Sequence, residues 1–213
     1  APSITHHIMI LDRSGSMWGS MSDLKATILK LLTLEEYRDT GMKVTLISYS
    51  SYGNMTLHFQ NVKVGKIMED NSPYQTKIRD IHAGGLTCIS QALKEAHKLV
   101  DPSDVTAISL HSDGYANHLS ATQERREIDE ACKLLATHSN VFVNTIAYSN
   151  WSDFSLLSSI SNKLSGVCIQ ATNIKQVYDS LHQTCDMLAG QISPVIDLSI
   201  GDADLQVFVS GTG

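Results

Sequence analysis

The sequence is poor in charge and in aromatic residues. Only 18% of the 213 residues are charged and only 6% are Phe, Trp or Tyr. So little charge argues against a disordered tail or a long coiled coil. Acidic residues outnumber basic ones and give a formal net charge of −6, which lacks the positive footprint of a nucleic-acid binder. No apolar run approaches the roughly 18 residues of a membrane span, so we expect no membrane insertion.

Cysteine is also scarce, at Cys88, Cys132, Cys168 and Cys185. None forms a CxxC pair, which disfavours a zinc ribbon or a thioredoxin-type motif. We interpret the four residues as buried thiols in a reducing compartment, with a Cys168–Cys185 disulfide as the alternative. Together with an N-terminus that shows no leader pattern, this favours a cytoplasmic location. An extracellular location is the alternative, with a signal that has been removed.

Short apolar segments alternate with segments of helical periodicity. Segment 63–82 is polar and predicted to be irregular, and segment 55–60 alternates with period two like an edge strand. A helix with Met21 on its buried face is predicted to close at Gly41. The predicted strands are 6–12, 42–50, 55–60, 105–113, 141–149 and 166–171. The other predicted helices are 89–99, 120–137, 153–161 and 174–188.

This alternation predicts an α/β domain with βαβ units and a mostly parallel sheet. The last residues break the pattern, since 195–210 looks like two strands joined at Gly201-Asp202. We therefore expect one domain over 1–190. The segment 191–213 is then either a C-terminal β hairpin or the start of a second, truncated domain.

Oxygen-bearing side chains follow several of the predicted strands. Asp12, Ser14 and Ser16 follow the first strand, Thr87 follows a Gly84-Gly85 turn, and Asp113 ends the 105–113 strand. Ligands of open α/β sheets bind beyond the carboxyl ends of the strands, so these loops form one candidate site. Oxygen ligands suit Mg²⁺, Mn²⁺ or Ca²⁺ rather than Zn²⁺. The alternative is that Asp12 or a serine merely caps a helix.

The segment MILDRSGSM, a distant Thr87 and Asp113-Gly114 resemble the metal-ion-dependent adhesion site (MIDAS) of von Willebrand factor type A (VWA) domains. The resemblance covers roughly residues 4–190. It implies a three-layer Rossmann-like fold, with a mostly parallel six-stranded sheet and one antiparallel edge strand. Ser14 and Ser16, and Thr87 in the engaged state, would bind Mg²⁺ directly. Asp12 and Asp113 would act mostly through water, with Asp113 moving closer in the resting state.

The resemblance also implies a protein partner whose Asp or Glu side chain completes the metal's coordination. Such a module is not an enzyme, and the sequence has no nucleophile elbow, P-loop or dinucleotide-binding motif. Two alternatives stay open, a scaffold that the metal only stabilises and a metal-assisted hydrolase. A further domain of the same chain is an alternative partner.

Several residues near this site invite separate hypotheses. Arg13 departs from the family pattern. It either pairs with a partner carboxylate or simply offsets the charge of Asp12. Cys88 is interpreted as a buried small residue and His111 as a core histidine, rather than as a redox thiol or a metal ligand. Four aromatic residues follow different strands and predict a partner-binding rim: Trp18, Tyr52, Tyr115 and Trp151. The alternative is that one or two of them pack beneath the loops, with Trp18 the first candidate.

Overall fold

The computed structural model describes residues 3–200, with side chains described up to residue 190. Six strands form one sheet in the order β3-β2-β1-β4-β5-β6, in which only the β2–β3 pair is antiparallel. The strands are β1 (His6–Asp12), β2 (Lys43–Tyr49), β3 (Met55–Lys63), β4 (Thr106–His111), β5 (Val141–Ala147) and β6 (Cys168–Gln170). The predicted parallel sheet with one antiparallel edge strand is confirmed.

Helices cover both faces of the sheet. They are α1 (Met21–Leu32), α2 (Val64–Ile67), α3 (Pro73–Arg79), α4 (Ile89–Leu99), α5 (Ala121–Leu135), α6 (Phe154–Lys163) and α7 (Ile174–Ile200). One core lies between the sheet and α1, α3 and α7, and the other between the sheet and α4, α5 and α6. In the part of the chain described here, no helix is both long and apolar enough to span a membrane.

The central strand β1 explains why the sheet is buried on both faces. Its side chains alternate, so that Met9 and Leu11 enter the first core while Ile8 and Ile10 enter the second. All seven residues of β1 are buried. This burial fixes the register of β1, and with it the position at which the chain leaves the sheet after Asp12.

Three segments differ from the sequence-based expectation. Segment 63–82 is not irregular, because it contains α2 and α3, whose buried Val64, Ile67 and Ile78 belong to the first core. The first long helix ends at Leu32, well before Gly41. The last helix extends to Ile200, over residues where a strand was expected from 195. The rest of the predicted β pair, 201–210, lies outside the described residues, so the domain boundary stays a prediction.

A chain of buried polar side chains crosses the middle of the sheet. His7 Nε2 lies 2.8 Å from Ser109 Oγ, which lies 2.7 Å from His111 Nε2. His111 Nδ1 is in turn 2.7 Å from the Tyr148 hydroxyl. Both histidines are fully buried, and desolvation lowers the pKa of His7 well below its usual value and that of His111 to about 3. The expectation that His111 is a core histidine is confirmed.

We expect this histidine chain to make the protein acid-sensitive. Because the folded pKa of His111 lies below the unfolded value, its stabilisation is complete above about pH 6.5 and is lost as the pH falls toward 3. At about pH 5 the loss from this one residue is about 2 kcal/mol. Urea unfolding at several pH values between about pH 8 and about pH 5 measures how steeply the free energy of unfolding depends on pH in wild type and in His111→Gln.

His82 is exposed and supplies the matched control. The His82→Gln variant should keep the wild-type dependence of the free energy of unfolding on pH, whereas His111→Gln should flatten it. If the free energy of unfolding depended on pH in the same way in all three proteins, the proposed role of the buried histidine chain would be contradicted.

Candidate metal centre

The first loop of the site leaves the sheet directly after β1. Asp12 and Ser14 are fully buried, while Ser16 is exposed. The Ser14 backbone amide and hydroxyl both donate to Asp12 Oδ1, at 2.9 and 2.5 Å. The Ser14 and Ser16 hydroxyl oxygens are 3.2 Å apart. Two hydroxyls therefore lie side by side above a buried carboxylate.

The second loop follows β4, the neighbour of β1. The Ser112 hydroxyl donates to Asp12 Oδ2 at 2.6 Å and accepts from the Gly114 amide at 2.9 Å. Asp113 is buried, and its Oδ1 accepts from the Tyr115 amide at 3.0 Å. Both oxygens of Asp12 are thus bonded, and the loops after β1 and β4 are joined through that carboxylate.

The third loop carries Thr87 and is bound to the first by its backbone. The Gly15 amide donates to the Gly85 carbonyl at 2.9 Å, and the Gly84 amide donates to the Arg13 carbonyl at 2.8 Å. Thr87 is buried, and Asn117 bonds it twice: the Thr87 amide donates to the Asn117 side-chain oxygen, and the Asn117 amide donates to the Thr87 carbonyl. Among the described residues the Thr87 hydroxyl itself makes no hydrogen bond.

Burial dominates the electrostatics of Asp12. Desolvation raises the pKa of this carboxyl to about 6, although hydrogen bonds from Ser112 and Ser14 act to lower it. Within the part of the chain that the structure describes, neither Asp12 nor Asp113 forms an ion pair. A desolvated carboxylate with no cationic side chain beside it is an arrangement that a bound cation would stabilise.

The sequence matches the family model of the von Willebrand factor type A domain over residues 7–128, more than half of the chain. The chain belongs to the VWA family. VWA domains typically mediate protein–protein interactions, often bind a divalent metal at the MIDAS, and are mostly non-enzymatic. The search of curated proteins gave no match.

Solved structures agree with this assignment at the level of the fold. A von Willebrand factor type A protein from Catenulispora acidiphila superposes with a TM-score of 0.62 and 16% identity, over 88% of this chain and 42% of that one. BatB from Bacteroides thetaiotaomicron gives 0.61 and 15%, over 87% of this chain and 99% of that one. This VWA chain therefore spans less than half of the Catenulispora protein.

A third similar structure holds a metal. It is proximal thread matrix protein 1 from the mussel byssus with a zinc-occupied MIDAS, at a TM-score of 0.58 and 17% identity, over 89% of this chain and 48% of that one. At such identities these likenesses show the fold alone.

The donor set of the VWA domain fits a hard cation. Among the described residues no group of three or more His, Cys, Asp or Glu side chains could hold a metal ion. Hydroxyl oxygens would have to complete any cation site here, and Ser14, Ser16 and Thr87 supply them. Carboxylate and hydroxyl oxygens are the ligands preferred by Mg²⁺, Mn²⁺ and Ca²⁺.

The predicted rim residues lie on the same edge of the sheet as this site. Trp18 and Trp151 are each 80% exposed, Tyr52 is 70% exposed, and Tyr115 is also exposed. The alternative that Trp18 packs beneath the loops does not hold, because Met17, not Trp18, is the residue of the 3-10 helix Gly15–Ser20 that enters the core. Arg13 is half-buried and donates from its guanidinium to Asn54 Oδ1 at 2.6 Å.

Sequence patterning did not single out Asn54, Leu86, Asn117 and His118. Asn54 follows β2, Leu86 lies in the loop before α4, and Asn117 and His118 follow β4. These places were the available signal, because the roles of the four residues depend on contacts between loops. Three of the four cysteines are buried as expected, namely Cys88, Cys132 and Cys185, whereas Cys168 is only half-buried. Burial raises the pKa of the Cys88 thiol. Cys168 is a free thiol, so the alternative Cys168–Cys185 disulfide is not formed.

Gly85 is required by the close approach of the loops. Its φ is +86°, and an added Cβ would lie 2.9 Å from the Ser51 hydroxyl oxygen. We expect Gly85→Ala to lower the free energy of unfolding by about 1–3 kcal/mol, since it adds backbone strain and crowding. Gly19 lies in the neighbouring 3-10 helix with nothing within 4 Å of its added Cβ, so Gly19→Ala is the control. Equal losses in urea unfolding of the two variants would contradict this account.

Proposed function

We propose that this VWA domain is a metal-dependent protein-binding module that presents Mg²⁺ to an acidic side chain of a partner. Mn²⁺ or Ca²⁺ is the alternative ion. The observation that carries the proposal is the buried Asp12 carboxylate, which lacks a cationic partner and lies beneath the two adjacent hydroxyls of Ser14 and Ser16. Carboxylate and hydroxyl oxygens are the ligands that a hard cation prefers, and the carboxyl edge of an α/β sheet is where ligands of such sheets bind.

The proposed ligands divide into hydroxyls and carboxylates. Ser14, Ser16 and Thr87 would bind the ion directly, while Asp12 and Asp113 would act mostly through water. Asp12 is already engaged by Ser14 and Ser112, which supports an outer role for it. If hydroxyls bind directly, a bound ion keeps net positive character and offers an electrophilic position to a carboxylate.

Arg13 adds a second feature that favours an acidic partner. Its guanidinium lies at the same loop edge, where the bond to Asn54 Oδ1 positions it. Arginine has further donors beyond the one used by Asn54, so a partner carboxylate could be bonded without breaking this contact. We therefore place Arg13 in the partner-binding surface.

We place the domain among the non-catalytic members of its family, with a cytoplasmic location and no nucleic-acid partner. The net charge of −6 supports the last point. The partner is either a separate protein or another domain of the same chain.

We expect one Mg²⁺ to bind, with an affinity that Asp12→Asn and Ser14→Ala greatly reduce. Calorimetric titration into metal-free protein measures this directly. Mg²⁺ at about one hundred times its Kd should add about 2.7 kcal/mol to the free energy of unfolding. Asp70 is exposed and lies on another part of the surface, so Asp70→Asn should bind as wild type does. Wild-type affinity in Asp12→Asn would overturn the proposed site.

A second measurement separates a binding module from a scaffold. Chelation lowers the melting temperature in both cases. In the proposed module it also abolishes partner binding, whereas a domain that the metal only stabilises would keep its partner after chelation.

The stabilisation by Mg²⁺ should depend on pH through Asp12. Since the pKa of this carboxyl is raised from 3.8 to about 6, the folded metal-free protein between about pH 4 and about pH 6 holds a proton that the unfolded chain has released. Ionising Asp12 therefore costs stability as the pH rises through about 6, and a bound cation offsets that cost. We expect a larger Mg²⁺-induced rise in melting temperature at about pH 7.5 than at about pH 5. In Asp12→Asn this difference should disappear.

A further inference from the structure

Large apolar side chains are concentrated on the edge of the sheet that carries the candidate metal site. Nine large hydrophobic residues are exposed in the described part of the chain, and five of them lie on the loops of this edge. We call these five the rim: Trp18, Tyr52, Leu86, Tyr115 and Trp151. Both tryptophans of the chain belong to it, each 80% exposed. Exposed aromatic side chains around a polar centre are typical of partner-binding hot spots.

The rim side chains are presented by ordered loops. The Tyr52 ring stacks on the His118 ring with centroids 5.0 Å apart and an interplanar angle of 14°. The Gly53 amide next to Tyr52 donates to Gln91 Oε1 at 2.8 Å. Beside Trp151, the Ser149 and Ser152 hydroxyls are 3.2 Å apart. Ordered loops reduce the entropy lost when a partner docks.

The rim is also joined to the candidate metal site by hydrogen bonds. Asn117 bonds Thr87 twice and lies between Tyr115 and His118 along the chain. The Asp153 amide, two residues after Trp151, donates to the Asp113 carbonyl at 2.7 Å. Two of the proposed metal ligands are therefore bonded directly to the loops that carry rim residues.

Charged side chains are sparse on these loops, and the positive one is Arg13. Loops 13–20, 50–54, 84–88, 113–119 and 149–153 carry only three formally charged side chains: Arg13, Asp113 and Asp153. Asp153 caps α6 by accepting from the Leu156 amide, and Asp113 belongs to the metal site. Arg13 is the remaining charge, and it is positive. Together with a bound cation, Arg13 would give the surface a cationic centre within an apolar border.

We propose that the rim is a docking surface for a protein loop in which one Asp or Glu is flanked by aromatic or aliphatic side chains. This rests on the proposed function, because the acidic residue engages the metal and Arg13. The flanking apolar side chains pack on the exposed side chains of the rim. The rim, rather than the carboxylate, selects the partner.

The test uses a displayed library of disulfide-cyclised random peptides, selected on the whole chain in Mg²⁺. We expect enriched sequences to share one acidic residue with apolar residues beside it. Their Kd should rise at least tenfold in Trp18→Ala and in Trp151→Ala. Leu134 and Met187 are exposed apolar residues away from this edge, so Leu134→Ala and Met187→Ala are controls with an unchanged Kd.

The peptide-binding test gives different results if the rim proposal is wrong and if the metal proposal is wrong. The proposed rim variants should bind Mg²⁺ with wild-type affinity by calorimetry. If peptides bind in a chelator-sensitive manner but ignore the rim substitutions, the rim proposal is wrong and the metal proposal stands. If peptides need the rim but bind equally in chelator and in Asp12→Asn, the metal proposal is wrong. A library that yields no binder to metal-loaded protein would overturn the rim as a docking surface.

Two other occupants are distinguished by further arms of the same test. Sedimentation equilibrium that shows a dimer lost in Trp18→Ala would assign the rim to a second copy of this chain. Co-sedimentation with phosphatidylcholine vesicles, lost in the same variant, would assign it to a lipid surface. Either result would overturn the protein-loop proposal. Monomeric protein that ignores vesicles supports it.

Discussion

The burial of Asp12 is the constraint on which the site depends. This carboxylate lies at the carboxyl end of the central strand, where β1 is covered by helices on both faces. Hydroxyls from the loops after β1 and β4 bond its two oxygens separately, so one side chain sets the spacing of both loops. The backbone bonds between Gly15 and Gly85 then place the Thr87 loop against the same centre.

That arrangement is costly for an empty domain. Desolvation raises the pKa of Asp12 to about 6, so near neutral pH the group is ionised at a free-energy cost that only hydroxyl and amide donors offset. A cation bound above Ser14 and Ser16 would stabilise the ionised carboxylate of Asp12, whose charge no neighbouring cationic side chain compensates. In the proposed metal site, the same buried charge that weakens the metal-free fold would supply metal affinity, an exchange of stability for function.

The three-layer fold and the mostly parallel sheet with one antiparallel edge strand could be predicted from the sequence, and so could the loops that carry the candidate site residues. β1 has a buried face on each side, and the DxSxS segment follows at the edge where α/β sheets bind ligands. Segment 63–82 could not be interpreted in the same way, because α2 and α3 are too short to show clear periodicity and are fixed by packing of Val64 and Ile78. The choice between Met17 and Trp18 depended on the structure for a related reason: only the 3-10 geometry decides that Met17 points inward and leaves Trp18 exposed. Contacts across loops, such as Asn117 with Thr87, have no local signal at all.

The rim gives the proposed module a source of selectivity that the metal cannot provide. Asp and Glu side chains occur on the surface of almost every soluble protein, so an ion and Arg13 alone would discriminate poorly among them. Apolar packing against exposed rings distinguishes a carboxylate with apolar neighbours from one in a polar loop. Asn117 and Asp153 join the rim loops to Thr87 and Asp113 by hydrogen bonds. A change at the metal site is therefore expected to alter the loops that present the rim side chains. Metal dependence and partner choice are therefore expected to be coupled, with Asn117 as the contact through which a double-mutant cycle would detect it.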